Sequence, residues 1–106
     1  MTELEAAQVG RMIDTDGWIG KWGRKNPLSW VIGLHAKTIP ALVDDLVELT
    51  GGGQARDEGE GRIWTCSRFL SIVDLARQIA PWSYKARAVL PELEKTASTH
   101  INPTLN

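Results

Sequence analysis

Cysteine is nearly missing. Cys66 stands alone among 106 residues, which excludes an intrachain disulfide and any metal site assembled on cysteines. That usage suits a reducing compartment, and Cys66 reads as a small buried hydrophobe. No uncharged apolar run approaches the roughly 18 residues of a membrane helix. Glu3 and Glu5 stand where a secretory signal would have a basic stretch followed by an apolar one. The expectation is an intracellular protein with no membrane partner. Charge of one sign is scarce too: 12 Lys+Arg against 13 Asp+Glu leave a net charge of −1. A whole-chain basic footprint for nucleic acid is therefore absent. Tyrosine and phenylalanine occur once each, yet there are five tryptophans, and with balanced charge that composition excludes disorder. The length is that of one domain, which would bury about 65% of its unfolded surface around one thin core.

Hydrophobic spacing orders the chain. From Thr2 to Asp14, Leu4, Ala7, Val9, Met12 and Ile13 recur at three- and four-residue intervals, an amphipathic helix that Asp16-Gly17 ends. Ala6 and Gly10 lie four apart, small enough for another backbone to come close. Trp18–Gly23 and Leu28–His35 read as strands joined by a turn at Arg24-Lys25-Asn26-Pro27. In the second, Trp30, Ile32 and Leu34 alternate with Ser29, Val31, Gly33 and His35, giving one covered and one open face. Thr38 and Pro40 open a helix to Thr50, with Leu42, Val43, Leu46, Val47 and Leu49 inward, and Gly51-Gly52-Gly53 stops it.

A second hairpin runs from Gln54–Asp57 through Glu58-Gly59-Glu60-Gly61 to Arg62–Cys66. Ser67 is the expected N-cap of a third helix with Phe69, Ile72, Val73, Ala76 and Ile79 on one face, closed by Pro81. A last helix starts near Ser83 or Tyr84 and runs to about Lys95, kinked or restarted at Pro91. Residues 1–97 then form a single domain and 98–106 a flexible tail. Helices covering one face of a four-stranded antiparallel sheet make a two-layer α+β fold.

The segment Val9-Gly10-Arg11-Met12-Ile13-Asp14-Thr15-Asp16-Gly17 resembles the LAGLIDADG motif of the homing endonucleases. Lys37-Thr38, Leu49-Thr50-Gly51-Gly52-Gly53, Trp64-Thr65-Cys66-Ser67, and Ile79-Ala80-Pro81-Trp82 with Lys85 resemble further parts of that family in the same order. The resemblance covers about residues 4 to 95. It implies an αββαββα domain and a site-specific endonuclease that cuts double-stranded DNA by Mg²⁺-assisted hydrolysis, intracellular and DNA-associated. It also implies Asp16 as the metal-binding acid, with the Thr15 carbonyl as a further ligand. Hard oxygen donors of this kind suit Mg²⁺. Asp14 reads as structural, capping and turning the chain.

A two-metal cut needs acids from two motifs, so one motif per chain implies a homodimer on a near-palindromic site. Ala6, Gly10 and Ile13 are the expected interface. Arg11 departs from the Gly usual in the family. Lys85 matches the family's basic residue near the scissile phosphate, where a cation stabilises developing charge. His35 or Ala36, depending on a one-residue shift, occupies the place of a water-positioning residue; only His35 could serve.

Sorted by element, the expected cations Lys21, Arg24, Lys25, Lys37, Arg56, Arg62 and Lys85 fall on the hairpins and sheet edges, and most acids fall on helices. The open sheet face would then be basic, reading base edges through Ser29, Gln54 and Arg56. Trp30 and Trp64 read as core, while Trp18, Trp22 and Trp82 stay open between core, dimer and DNA contact. Alternation from Ile19 puts Trp22 on the open face. The alternative reading is a DNA- or RNA-binding protein on the same fold that does not cut, a maturase or a regulator.

Overall fold

The computed structural model describes residues 1–23, 25–36 and 41–101, with backbone alone at 41 and 42. Helix α1 (Glu3–Asp16) begins with a reciprocal cap. The Thr2 hydroxyl accepts from the Glu5 N–H at 3.1 Å, and Thr2 N donates to Glu5 Oε1 at 2.8 Å. Val9 and Ile13 are fully buried with Ala6 and Gly10 on the inward side, whereas Leu4 is 71% exposed. The buried stripe is thus rotated relative to the apolar residues that the sequence pattern picks out.

Strands β1 (Gly17–Lys21) and β2 (Trp30–Ala36) pair antiparallel, with Gly17 opposite Leu34 and Lys21 opposite Trp30. Beyond β1 the Trp22 N–H donates to the Ser29 carbonyl at 3.1 Å. Asn26 shapes the connection: its side chain accepts from the Leu28 N–H at 2.9 Å and its carbonyl from the Ser29 N–H at 3.1 Å. Helix α2 (Ala41–Thr50) follows, then β3 (Gln54–Glu58) and β4 (Gly61–Cys66), joined by a two-residue turn at Gly59-Glu60. The sheet order is β1-β2-β4-β3, every neighbour antiparallel. The strand richest in large apolar residues, β2, therefore lies inside the sheet beside β4.

Helix α3 (Phe69–Ile79) passes through a short 3₁₀ turn, Ala80–Trp82, into α4 (Tyr84–His100). The N-cap of α3 is Arg68, not Ser67, and no side chain caps it; the Arg68 carbonyl already accepts from Ile72 at 3.0 Å. Helix α4 continues through Pro91 to His100 with Ala97 buried. Residues 98–100 are therefore helical rather than tail. Thr38 and Pro40, the expected start of α2, lie outside the described residues.

All helices cover one face of the sheet. Trp30, Ile32, Leu34 and Ala36 of β2 and Trp64 of β4 meet Val43 and Leu46 of α2, Ile72 and Ile79 of α3 and Leu93 of α4 in one core. Trp64 also donates its indole N–H to the Gly52 carbonyl at 3.0 Å, so the buried indole leaves no orphan donor.

Candidate active site

The helix α1 ends without a connecting loop. Gly17 is the first residue of β1, and its N–H still donates to the Ile13 carbonyl. A Cβ at Gly17 would stand 2.6 Å from the Gly33 carbonyl oxygen and 2.9 Å from the Ile13 Cα, so only glycine lets the chain turn from helix into sheet here. This close turn carries Asp14 and Asp16 out at the sheet edge.

The two carboxylates have different fates. Asp14 accepts from Ser83 Oγ at 2.7 Å, from the Tyr84 N–H at 2.9 Å and from the Lys85 N–H at 3.3 Å. It supplies, from a distant part of the chain, a capping anion for the start of α4. Ser83 is fully buried and accepts in turn from the Ala86 N–H at 3.1 Å. Burial pushes the Asp14 carboxyl up. The hydrogen bonds from Ser83, Tyr84 and Lys85, with the Lys85 charge, outweigh that and hold it below the usual carboxylate range. The structural role expected for Asp14 thus falls on α4 rather than on its own helix.

Asp16 is exposed and makes no hydrogen bond or ion pair among the described residues. No basic residue stands in the last turn of α1. A free carboxylate at a helix C-terminus opposes the helix dipole, at a cost of about 0.3–1 kcal/mol, and the local structure offers nothing in return. Thr15 turns its hydroxyl back to the Arg11 carbonyl at 2.8 Å. Its own carbonyl belongs to the last helical turn, where carbonyls lack helical donors.

Lys85 reaches the same junction. Its ammonium donates to the Gly17 carbonyl at 2.7 Å while half-buried. An ammonium has three donors, so two remain beyond this bond.

His35 is brought to this end of the sheet by register. Gly17, the first residue of β1, pairs with Leu34, the neighbour of His35. Ala36 is buried in the core and His35 faces the open side. His35 Nε2 is buried with no hydrogen-bond partner among the described residues.

The open face of the sheet carries Trp18, Val31, Ile63, Thr65, Gln54 and Arg56. The Trp18 indole lies directly on Gly33, where a Cβ would fall 2.4 Å from its ring. Trp22 is 69% exposed and Lys25 is exposed in the turn between the first two strands. Ser29 is half-buried at the start of β2, beside Gly23. Arg56 lies within 3.4 Å of Glu58.

Two expected members of this face are turned the other way. Lys21 lies opposite the buried Trp30; it stands over that indole, 5.9 Å from the ring centre, and pairs with Glu92 of α4 at 3.6 Å. Arg62 lies opposite Ala36 and Asp57 and pairs with Asp44 of α2 at 3.4 Å and with Asp57 at 3.6 Å. Strand alternation decides both: odd steps from a core residue fall on one face, even steps on the other. The open face is accordingly less basic than expected. Arg24 and Lys37 lie outside the described residues.

The expected dimer face is also corrected. Ala6, Gly10 and Ile13 are buried within the chain itself. A Cβ at Gly10 would lie 3.3 Å from the Ile79 carbonyl and from Trp82, so the close approach that its smallness permits is used by the turn before α4. The exposed stripe of α1 is Leu4, Gln8, Arg11 and Thr15. The capping of α4 by Asp14, the contact of Trp18 with Gly33 and the freedom of Arg11 were missed from sequence. Only the repeated spacing of exposed positions on α1 could have signalled the last of these.

Among the described residues, no three His, Cys, Asp or Glu side chains converge to hold a metal. No described helix is long and apolar enough to cross a membrane.

Neither family models nor curated proteins give a match to the sequence. Solved structures do. The homing endonuclease I-CvuI, in complex with its target in the presence of calcium, superposes with a TM-score of 0.70 at 19% identity, over 96% of this chain and 73% of that one. A second I-CvuI complex, with uncleaved DNA in the presence of magnesium, gives 0.68 at 18% over the same shares. The archaeal intron-encoded homing endonuclease I-Vdi141I, bound to DNA, gives 0.64 at 13%, over 98% of this chain and 74% of that one. At such identity the likeness is one of fold. Helices on one face of a β1-β2-β4-β3 sheet, with an acidic motif where α1 becomes β1, make this the LAGLIDADG homing endonuclease fold.

Proposed function

We propose that this protein is a site-specific DNA endonuclease that acts as a homodimer on near-palindromic double-stranded DNA with divalent metal ions. The observation that carries this reading is the contrast between its two motif acids. Asp14 is consumed by three hydrogen bonds, while Asp16, two residues on, is exposed and unpaired among the described residues, at the unfavourable end of a helix.

The donor chemistry fits a hard cation. The Asp16 carboxylate and the Thr15 carbonyl are oxygen ligands of the kind Mg²⁺ takes. One chain offers one such free carboxylate at the junction, so a second copy would supply the other. The bound ion would contribute Lewis acidity and charge neutralisation to phosphodiester hydrolysis.

The chain's own residues have separable tasks. Asp14 and Gly17 fix the junction. Lys85, with two free donors, stabilises negative charge growing on phosphate oxygens. His35, with an unsatisfied buried nitrogen, positions a solvent molecule at the open face. The open face lays Trp18, Gln54, Thr65 and Arg56 against a groove, with Trp22, Ser29 and Lys25 at one end.

The test is incubation of the protein with a randomised duplex library and Mg²⁺, followed by sequencing of the new ends. Recurrent cuts at related, near-palindromic sequences support the reading. Salt-sensitive binding without cuts under any divalent metal supports a binding protein on the same fold instead.

A further inference from the structure

The groove between α1 and α2 has a volume of about 580 Å³, and its walls carry both signs of charge. Leu4, Met12 and Leu49 give it an apolar lining, with Arg11 on α1, Asp45 on α2 and Asp16 at the site. Arg11 is exposed and makes no ion pair among the described residues. Asp45 is equally free, whereas its neighbour Asp44 is already held by Arg62. Leu4, at 71% exposure, is the most exposed of the large apolar side chains among the described residues. An apolar strip with an unpaired cation on one wall, Arg11 of α1, and an unpaired anion on the other, Asp45 of α2, is self-complementary.

We propose that this groove receives a second copy of the chain, and that Arg11 of each copy pairs with the partner's Asp45. The inference rests on the homodimer reading above and gives it a recognition chemistry. A two-fold axis makes every contact reciprocal: where residue i meets j, j meets i. One cation on α1 and one anion on α2 therefore yield two ion pairs per dimer. The same pairing covers the Leu4 strip with its counterpart and brings the two Asp16 carboxylates to one place. Burial in an interface makes such charges decisive for partner choice, because a like-charged pair there is strongly repelled. Within one chain Asp16 is a poor mate for Arg11, since five residues along one helix set the two at different angles around its axis. Engaging it would also take away the free acid of the site.

Charge reversal tests this. Arg11→Glu alone places two acids together twice per dimer, and Asp45→Arg alone places two arginines together twice. Each variant should weaken self-association about tenfold or more by sedimentation velocity. Mixing the two variants should restore a dimer, because each new charge then meets its opposite across the axis. The double variant should restore it in a single chain. Both positions are exposed, and circular dichroism verifies that each variant is folded.

A pairing within one chain would leave the mixture no better than its components, and that result overturns the inference. Dimers of the original protein unaffected by either reversal also overturn it while leaving the homodimer reading intact. An original protein that stays monomeric at every concentration, with and without duplex DNA, overturns both.

Discussion

Lys85 is fastened to the end of the motif helix twice: its backbone N–H donates to Asp14 at 3.3 Å, and its ammonium donates to the Gly17 carbonyl at 2.7 Å. The two bonds straddle Asp16. A change at Asp14 is therefore felt at Lys85, through α4, and a change at Lys85 is felt at the helix-to-strand turn.

Asp14 should carry stability as well as position. Asp14→Ala leaves the Ser83 hydroxyl and two amides at the start of α4 without their acceptor, a loss of about 2 kcal/mol by the usual cost of charged hydrogen bonds and caps. Thermal or urea unfolding measures it. Because the folded-state pKa of Asp14 is depressed, its contribution is fully present above the unfolded value of about 3.9 and fades as pH falls through the folded value. The stability gap between the original protein and Asp14→Asn should be constant near neutrality and shrink below about pH 4.

Lys85→Met should reduce cleavage about 100-fold or more, the usual effect of removing a charge-stabilising donor. DNA affinity at fixed salt should change by far less. Single-turnover cleavage against equilibrium binding separates the two.

Gly17→Ala should cost about 1–3 kcal/mol by overpacking, because the added methyl meets the Gly33 carbonyl and the Ile13 backbone, neither of which can give way. A melting curve reads this directly. The variant should also lose cleavage, since the turn that presents Asp16 is displaced.

Arg56 and Lys21 make a matched pair for the sheet face. Arg56→Gln should lower DNA affinity and reduce the slope of log K against log salt by about 1. Lys21→Gln should leave both unchanged, its charge being turned toward Glu92 on the helical side. Fluorescence titration over a salt series distinguishes them.

Much of this arrangement was legible because it is local. Gly-rich stops, the 3.6 spacing of Phe69, Ile72, Val73, Ala76 and Ile79, and the alternation of Trp30, Ile32 and Leu34 depend on neighbours in sequence, and all eight of those side chains are buried as expected. What stayed hidden depends on distant partners. Gly10 is small for contact with the turn before α4, and Ala6 is buried within the chain. Lys21 and Arg62 look basic in sequence, but strand parity turns them to Glu92 and Asp44. Asp14 and Asp16 differ by two positions, and only the fold sets Ser83 beside one of them and nothing beside the other.

The central claim is that Asp16 is the acid this fold keeps free for chemistry. The direct measurement is the Mg²⁺-dependent cleavage rate of Asp16→Asn on a duplex that the original protein cuts, with binding followed in parallel. Folded protein, retained DNA binding and no detectable cleavage are expected. Cleavage at an undiminished rate would contradict it.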